Sequence, residues 1–170
     1  MQALWLVGMM GSGKTTVGEL IARRLGLDFV DTDSLIETET HRSVASIWEA
    51  EGEEAFRDFE AEQIERLIER GQDCVIATGG GAVLRPENIA VMRGSGTVVW
   101  LTAKPGELAA RVDDSESRPL LWGGQSEERL AELLTEREAV YAEAAHHTVE
   151  TSSKGTEEIA REVMMLWNGS

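Results

Sequence analysis

Residues 8–15 read GMMGSGKT, a G-x-x-x-x-G-K-[ST] spacing whose residue types suit one task. The glycines let backbone N–H groups curl inward around phosphate oxygens, and a helix N-terminus behind them adds partial positive charge. Lys14 can reach the β- and γ-phosphates, and Thr15 can offer its hydroxyl to Mg²⁺. A metal on a nucleotide also needs a carboxylate at a neighbouring strand end, and the stretch DTDS, residues 31–34, supplies two. Were the backbone still extended there, Asp31 and Asp33 could face the same way, one toward metal and one toward an acceptor. Either acid could instead N-cap the helix that follows.

A second glycine loop, TGGGAV at residues 78–83, follows an apolar run, which places it at the same carboxyl edge of a sheet as the first loop. Three glycines leave N–H groups bare for a small polar ligand, or simply make a flexible turn. Two arginines stand beside apolar stripes. Arg57 has Glu53 four residues before it and Glu60 three after. As an exposed helix pair this is worth only ~0.2–0.5 kcal/mol, whereas a Glu60 that orients the guanidinium would aim a planar fork at a carboxylate ligand. Arg137 interrupts the stripe of Leu130, Leu133, Leu134, Val140 and Tyr141, where it either snorkels, pairs structurally or points into a polar cleft. Residues 111–125, RVDDSESRPLLWGGQ, read as a mobile lid that could bring Arg118 to a transferring phosphoryl group.

These residues need a scaffold that brings loops to one edge. Short apolar runs at residues 3–7, 29–30, 75–77, 98–101 and 148–149 alternate with segments of helical period, the pattern of βαβ units. Gly26 and Gly71 stop helices, Ser43 and Ser126 cap them, and Pro86 and Pro105 suit first turns. Residues 15–25 form the helix behind the phosphate loop, and residues 43–71 make a short and a long helix about Gly52. The long one has a stripe of Phe56, Phe59 or Glu60, Gln63 or Ile64, Leu67 and Ile68. The expected fold is α/β, a parallel sheet covered by helices on both faces, in one domain over residues 1–170.

Composition narrows the partners. A net charge of −15 over 170 residues repels polyanions, so nucleic acid and anionic membrane are excluded as partners and any phosphate must be gripped locally. No apolar stretch approaches ~18 residues, and the N-terminal run lacks a basic leader and reads as a first strand. The single cysteine, Cys74, lies in an apolar run as a small buried hydrophobe, consistent with a reducing cytoplasm. His41, His146 and His147 have no metal-ligand spacing and read as structural.

Taken in order, GMMGSGKTTVG, DTD, SVASIWEAEGEEAFRDFE, TGGGAV, RPLL and REAVY resemble the shikimate kinase family over essentially the whole chain. The resemblance implies a three-layer α/β/α P-loop kinase fold like that of nucleoside monophosphate kinases, with a five-stranded parallel sheet ordered 2-3-1-4-5 and a mobile lid. It implies transfer of the ATP γ-phosphate to the 3-hydroxyl of shikimate by a cytoplasmic monomer, with one Mg²⁺ and ATP as co-substrate. ATP would be held by Gly11, Ser12, Gly13, Lys14, Thr15, Thr16, Arg111 and Arg118, and Mg²⁺ by Thr15 and Asp31. Asp33 matches the acid that binds the acceptor hydroxyls and serves as base, with Lys14 and Arg118 as the other catalytic groups. Arg57 and Arg137 match the clamp on the shikimate carboxylate, and Gly79, Gly80 and Gly81 contact the ring substituents. Residues 32–60 would form the shikimate-binding helical segment, its pocket walled by Val44, Trp48 and Phe56. Trp48 departs from the family's usual Phe. The P-loop identifies a donor and not an acceptor, so a gluconate-like kinase and a non-catalytic nucleotide-binding module are the rival readings.

Overall fold

The computed structural model describes residues 2–112 and 127–168. Five strands, β1 (Ala3–Val7), β2 (Asp28–Asp31), β3 (Cys74–Ala77), β4 (Gly96–Thr102) and β5 (His147–Glu150), form one sheet in the order β2-β3-β1-β4-β5. Every neighbouring pair is parallel, as the alternation of apolar runs and helical segments requires. The helices are α1 (Lys14–Leu25), α2 (Thr32–Thr40), α3 (Val44–Glu69), α4 (Pro86–Ser95), α5 (Pro105–Arg111), α6 (Glu127–Ala144) and α7 (Thr156–Asn168).

All five residues of β1 are buried, because a central strand of a parallel sheet is covered on both faces. Side chains that alternate along the strands divide the core in two. Ala3, Trp5 and Val7 join Ile76, Val98 and Trp100 under α3, α4 and α6, while Leu4 and Leu6 join Val75, Val99 and Leu101 under α1 and α7. Each fully buried Leu or Val contributes roughly 1.5–3 kcal/mol of transfer free energy, which anchors β1 as the fixed base of the phosphate loop. Cys74 belongs to this core. A third, smaller cluster of Ile36, Ile47 and Phe56 ties α2 to α3.

The punctuation in the sequence does what its chemistry suggests. Gly26 closes α1 in the left-handed conformation, Ser43 accepts the Ser46 amide at 3.1 Å, and Pro86 and Pro105 open α4 and α5. Ser126 lies outside the described residues. The segment 44–69 is broken at Gly52, whose φ of 87° and ψ of 176° separate a short arm from a long one. His146 Nδ1 accepts the Val98 amide at 3.0 Å, so this ring fastens the end of α6 to β4. Among the described residues no helix is long and apolar enough to cross a membrane.

Two local expectations change. The strand that carries the acid pair ends at Asp31, and Asp33 already sits in the first turn of α2. The buried face of long α3 takes Arg57, Glu60 and Gln63 together with Phe56, Ile64 and Leu67, so the polar alternatives on that stripe point inward.

Candidate active site

The loop after β1 turns through Gly11, whose φ of 77° suits a residue without Cβ and whose missing Cβ would lie 2.7 Å from the Leu108 carbonyl oxygen of α5. Lys14 Nζ donates to the Gly8 and Met9 carbonyls at 2.9 Å each, which holds the ammonium over the loop. Ser12 is buried and Gly13 stands at the N-cap of α1, while Thr15 and Thr16 are exposed in its first turn. Helix-start N–H groups, loop amides and Lys14 are together the kind of groups that can hold a phosphate.

Asp31 divides its two oxygens. Oδ1 accepts the amides of Asp33 at 3.1 Å and Ser34 at 3.2 Å, capping α2, and Oδ2 accepts Thr15 Oγ1 at 2.8 Å. The cap and the contact with Thr15 therefore belong to the same acid, and Asp33 faces the cavity. A hydroxyl and a carboxylate side by side are hard oxygen donors of the kind Mg²⁺ takes. Among the described residues no group of three or more His, Cys, Asp or Glu forms a metal cage. One or two protein ligands completed by phosphate oxygens and water are the usual Mg²⁺ arrangement, so this donor set fits the ion.

Beside the P-loop lies a cavity of about 300 Å³ lined by Thr15, Asp31, Asp33, Arg57 and Arg137, with Gly79, Gly80 and Gly81 along one side. Val44, Trp48 and Phe56 also wall it. Arg57 is only 5% exposed, and its Nη1 donates to Glu60 Oε2 at 2.6 Å while Nη2 donates to Glu53 Oε1 at 3.1 Å. Its guanidinium carbon stands 5.4 Å from the ring centroids of both Trp48 and Phe56, so Trp48 contributes a face to the cation as well as a wall. The surface-pair reading of Arg57 is thus replaced by a buried, preorganised fork. Burial alone would lower the guanidinium's pKa, but Glu60 and Glu53 hold it above its ordinary value and it stays charged. Burial pushes the fully enclosed Glu60 carboxyl up to about 7 against the pull of Arg57, and Asp33 adds to the rise.

Arg137 is 6% exposed and donates to the Gly80 carbonyl at 3.4 Å, so of the three possibilities for this cation the structure selects the polar cleft. One turn on, Tyr141 donates its hydroxyl to the same carbonyl at 2.5 Å and stacks on Trp100. The Gly79 amide donates to Thr32 Oγ1 at 3.0 Å. The triple-glycine loop is therefore pinned from α2 and α6 and is no slack turn. A Cβ on Gly81 would collide with the Arg57 guanidinium, and one on Gly79 with Glu60 and with Asp33 Oδ1. Gly79→Ala should push those carboxylates into the cavity. Overpacking of about 1–3 kcal/mol, taken from acceptor binding, corresponds to a rise in acceptor KM of roughly five- to 150-fold with KM for ATP unchanged. Steady-state kinetics with each substrate varied in turn check this.

Arg111, at the end of α5, lies away from this cavity. It donates to Thr151 Oγ1 and O at 3.1 Å each and pairs with Glu107 at 2.8 Å, docking α5 on the turn after β5. Arg118 and the expected lid, from residue 113 onward, lie outside the described residues. Met9 and Met10, at the variable positions of GMMGSGKT, together with Ser34 of DTDS and Glu37, also line the cavity although the sequence assigned none of them a role there, and Tyr141 stood out only as part of an apolar stripe and of REAVY. The signal available for Tyr141 was its place one turn from Arg137, which puts both on one face.

A parallel sheet ordered β2-β3-β1-β4-β5, a P-loop after its central strand and a polar cavity beside it define an ATP-dependent phosphotransferase of the P-loop kinase fold. The chain belongs to the shikimate kinase family, whose model matches residues 10–167. The shikimate kinase of Symbiobacterium thermophilum is 49% identical over 161 residues, covering 94% of this chain and 92% of that protein. That of Ralstonia nicotianae is 45% identical over 162 residues, covering 95% and 85%. The solved structure of the Acinetobacter baumannii shikimate kinase in complex with shikimate aligns with a TM-score of 0.94 at 36% identity, covering 99% of this chain and 94% of that one.

Proposed function

We propose that the chain transfers the γ-phosphate of ATP to the 3-hydroxyl of shikimate, giving shikimate 3-phosphate and ADP, as a cytoplasmic single-domain monomer that uses Mg²⁺. The observation that carries this reading is one cavity beside the P-loop in which an acid, two buried arginines and a pinned glycine loop converge. Such a cavity suits a compact hydroxylated carboxylate. A nucleotide acceptor would need room for a base, and the net negative charge of the chain as a whole makes local arginines necessary for any anionic acceptor.

Arg57 and Arg137 grip the acceptor carboxylate, and the Gly79–Gly81 backbone lies against the ring. Asp33 accepts the proton of the attacking hydroxyl as its oxygen bonds to the γ-phosphorus and the bond to the β-phosphate oxygen breaks. The P-loop amides and Lys14 hold the phosphates in line. Thr15 and Asp31 would hold Mg²⁺, which when bound offsets charge on the β- and γ-phosphates. Arg118 keeps the lid role that the family motif gives it. Positioning and charge supply the catalysis, because phosphoryl transfer leaves little covalent chemistry to the protein.

An ADP-release assay with Mg·ATP against shikimate, quinate, gluconate and AMP, each beside a blank without acceptor, tests the reading. Turnover should be confined to shikimate. ADP formed only with another acceptor would overturn the roles of Arg57, Arg137 and the glycine loop, and no ADP with any would leave a nucleotide-binding module.

A further inference from the structure

Two carboxylates approach each other across Gly79. Glu60 Oε2 is engaged by Arg57, but Oε1 is fully buried without a hydrogen-bond partner. It points to the place where Gly79 would carry a Cβ, and Asp33 Oδ1 reaches within 2.6 Å of that same place. The charged and titratable groups facing Glu60 are Arg57 from its own helix, with Glu53 behind it, Asp33 from α2, and Arg137 with the Tyr141 hydroxyl from α6. The glycine loop adds no side chain.

This arrangement sets a competition. Ionised Glu60 and Glu53 already engage Arg57, so an incoming carboxylate must share that guanidinium with them, and with Asp33 four carboxylates would then crowd two arginines. We infer that Glu60 takes up a proton from solvent on Oε1 when the acceptor carboxylate binds, and so acts as the positioning residue that yields Arg57 to the acceptor. The inference rests on the carboxylate acceptor proposed above. Neutral Glu60 still accepts from Arg57 through Oε2 but cancels no positive charge, and Oε1–H becomes a donor on the side of Asp33 and the acceptor hydroxyls. The proton returns to solvent when product leaves. The free carboxyl titrates near 7 because it is buried, and a second anion in the pocket raises it further. Uptake is therefore expected where Glu60 is ionised in the free protein and still protonated with the acceptor bound, so it grows as pH rises above the free carboxyl's titration range.

Calorimetric titration of shikimate into the full chain, in phosphate and in Tris buffer from pH 6 to 9, measures this uptake directly. The buffers' different ionisation enthalpies should give different apparent heats, and Kd should weaken with rising pH above 7, by at most roughly tenfold per unit. Glu60→Gln should bind with buffer-independent heats and a flat pH profile. A purely structural tie between Glu60 and Arg57 would change Kd without moving either readout. If E60Q fails to fold, the native heats still decide, together with infrared difference spectra, in which the C=O band of a protonated carboxylic acid should grow on adding shikimate. Saturable binding and turnover with buffer-independent heats would overturn the inference alone, as would full uptake in E60Q. Absence of both binding and ADP formation would instead strike down the acceptor reading, and this inference with it.

Discussion

Asp33→Asn should leave a folded protein that binds Mg·ATP as tightly as the native chain but turns over about 10²–10⁴ times more slowly, the usual contribution of a positioned base. The clean separation is expected because the two acids of DTD do different work. Asp31 makes the α2 cap and meets Thr15, so the strand end, the helix start and the Thr15 hydroxyl do not depend on Asp33. The substituted amide would keep the shape of the first helical turn and lose a charge there worth only about 0.3–1 kcal/mol. The substitution would also remove the anion that helps raise Glu60, so any pH dependence of acceptor binding should shift toward lower pH. ADP release, nucleotide titration and thermal melting measure the three parts separately. A near-normal kcat would remove Asp33 as base and leave it a hydrogen-bonding post.

How far the sequence carried this site follows from what each signal encodes. The P-loop was legible because its function is written in eight consecutive residues, and the sheet because β1, β3 and β4 are apolar almost throughout, as doubly covered strands must be. The Gly52 break and the caps at Gly26 and Ser43 were legible for the same local reason. The division of labour between Asp31 and Asp33 was not, since it depends on where β2 stops, and element ends are set by tertiary packing as much as by propensity. Arg57 and Arg137 were visible as cations on or beside apolar stripes, but periodicity cannot say whether such a cation snorkels or is enclosed. Only the packing of α3 and α6 against the glycine loop buries both. Glu60 stood three residues from Arg57, which suggested its orienting role, yet the crowding of its other oxygen with Asp33 over Gly79 joins three segments and has no local trace. Tyr141 reads as core because it is core; that its hydroxyl also pins Gly80 is a property of the fold.

The second large effect is expected at Arg57, where lysine keeps the charge and should still fail. The native guanidinium uses one nitrogen on Glu60 at 2.6 Å and another on Glu53 at 3.1 Å, and its flat face is packed beside Trp48 and Phe56. A planar fork can meet both partners and still present N–H groups to a carboxylate, whereas an ammonium is a strongly hydrated point charge without that geometry. Loss of one charged hydrogen bond to the acceptor costs about 1.5–3 kcal/mol, so KM for shikimate should rise roughly ten- to a hundredfold. KM for ATP should not move, because Arg57 lines the cavity beside the P-loop whereas Lys14 sits over the loop itself, held by the Gly8 and Met9 carbonyls. Stability should fall as well, since Glu60 would be left buried beside a poorer partner, though by less than the roughly 3–5 kcal/mol typical of deleting one member of a buried pair, because the positive charge stays. Kinetics with each substrate varied in turn and a melting curve test both halves. Unchanged shikimate KM would refute the clamp, and a matching rise in ATP KM would mean that the substitution disturbed the P-loop and not the acceptor site; only the asymmetric result is what a fork held by Glu60 and Glu53 demands.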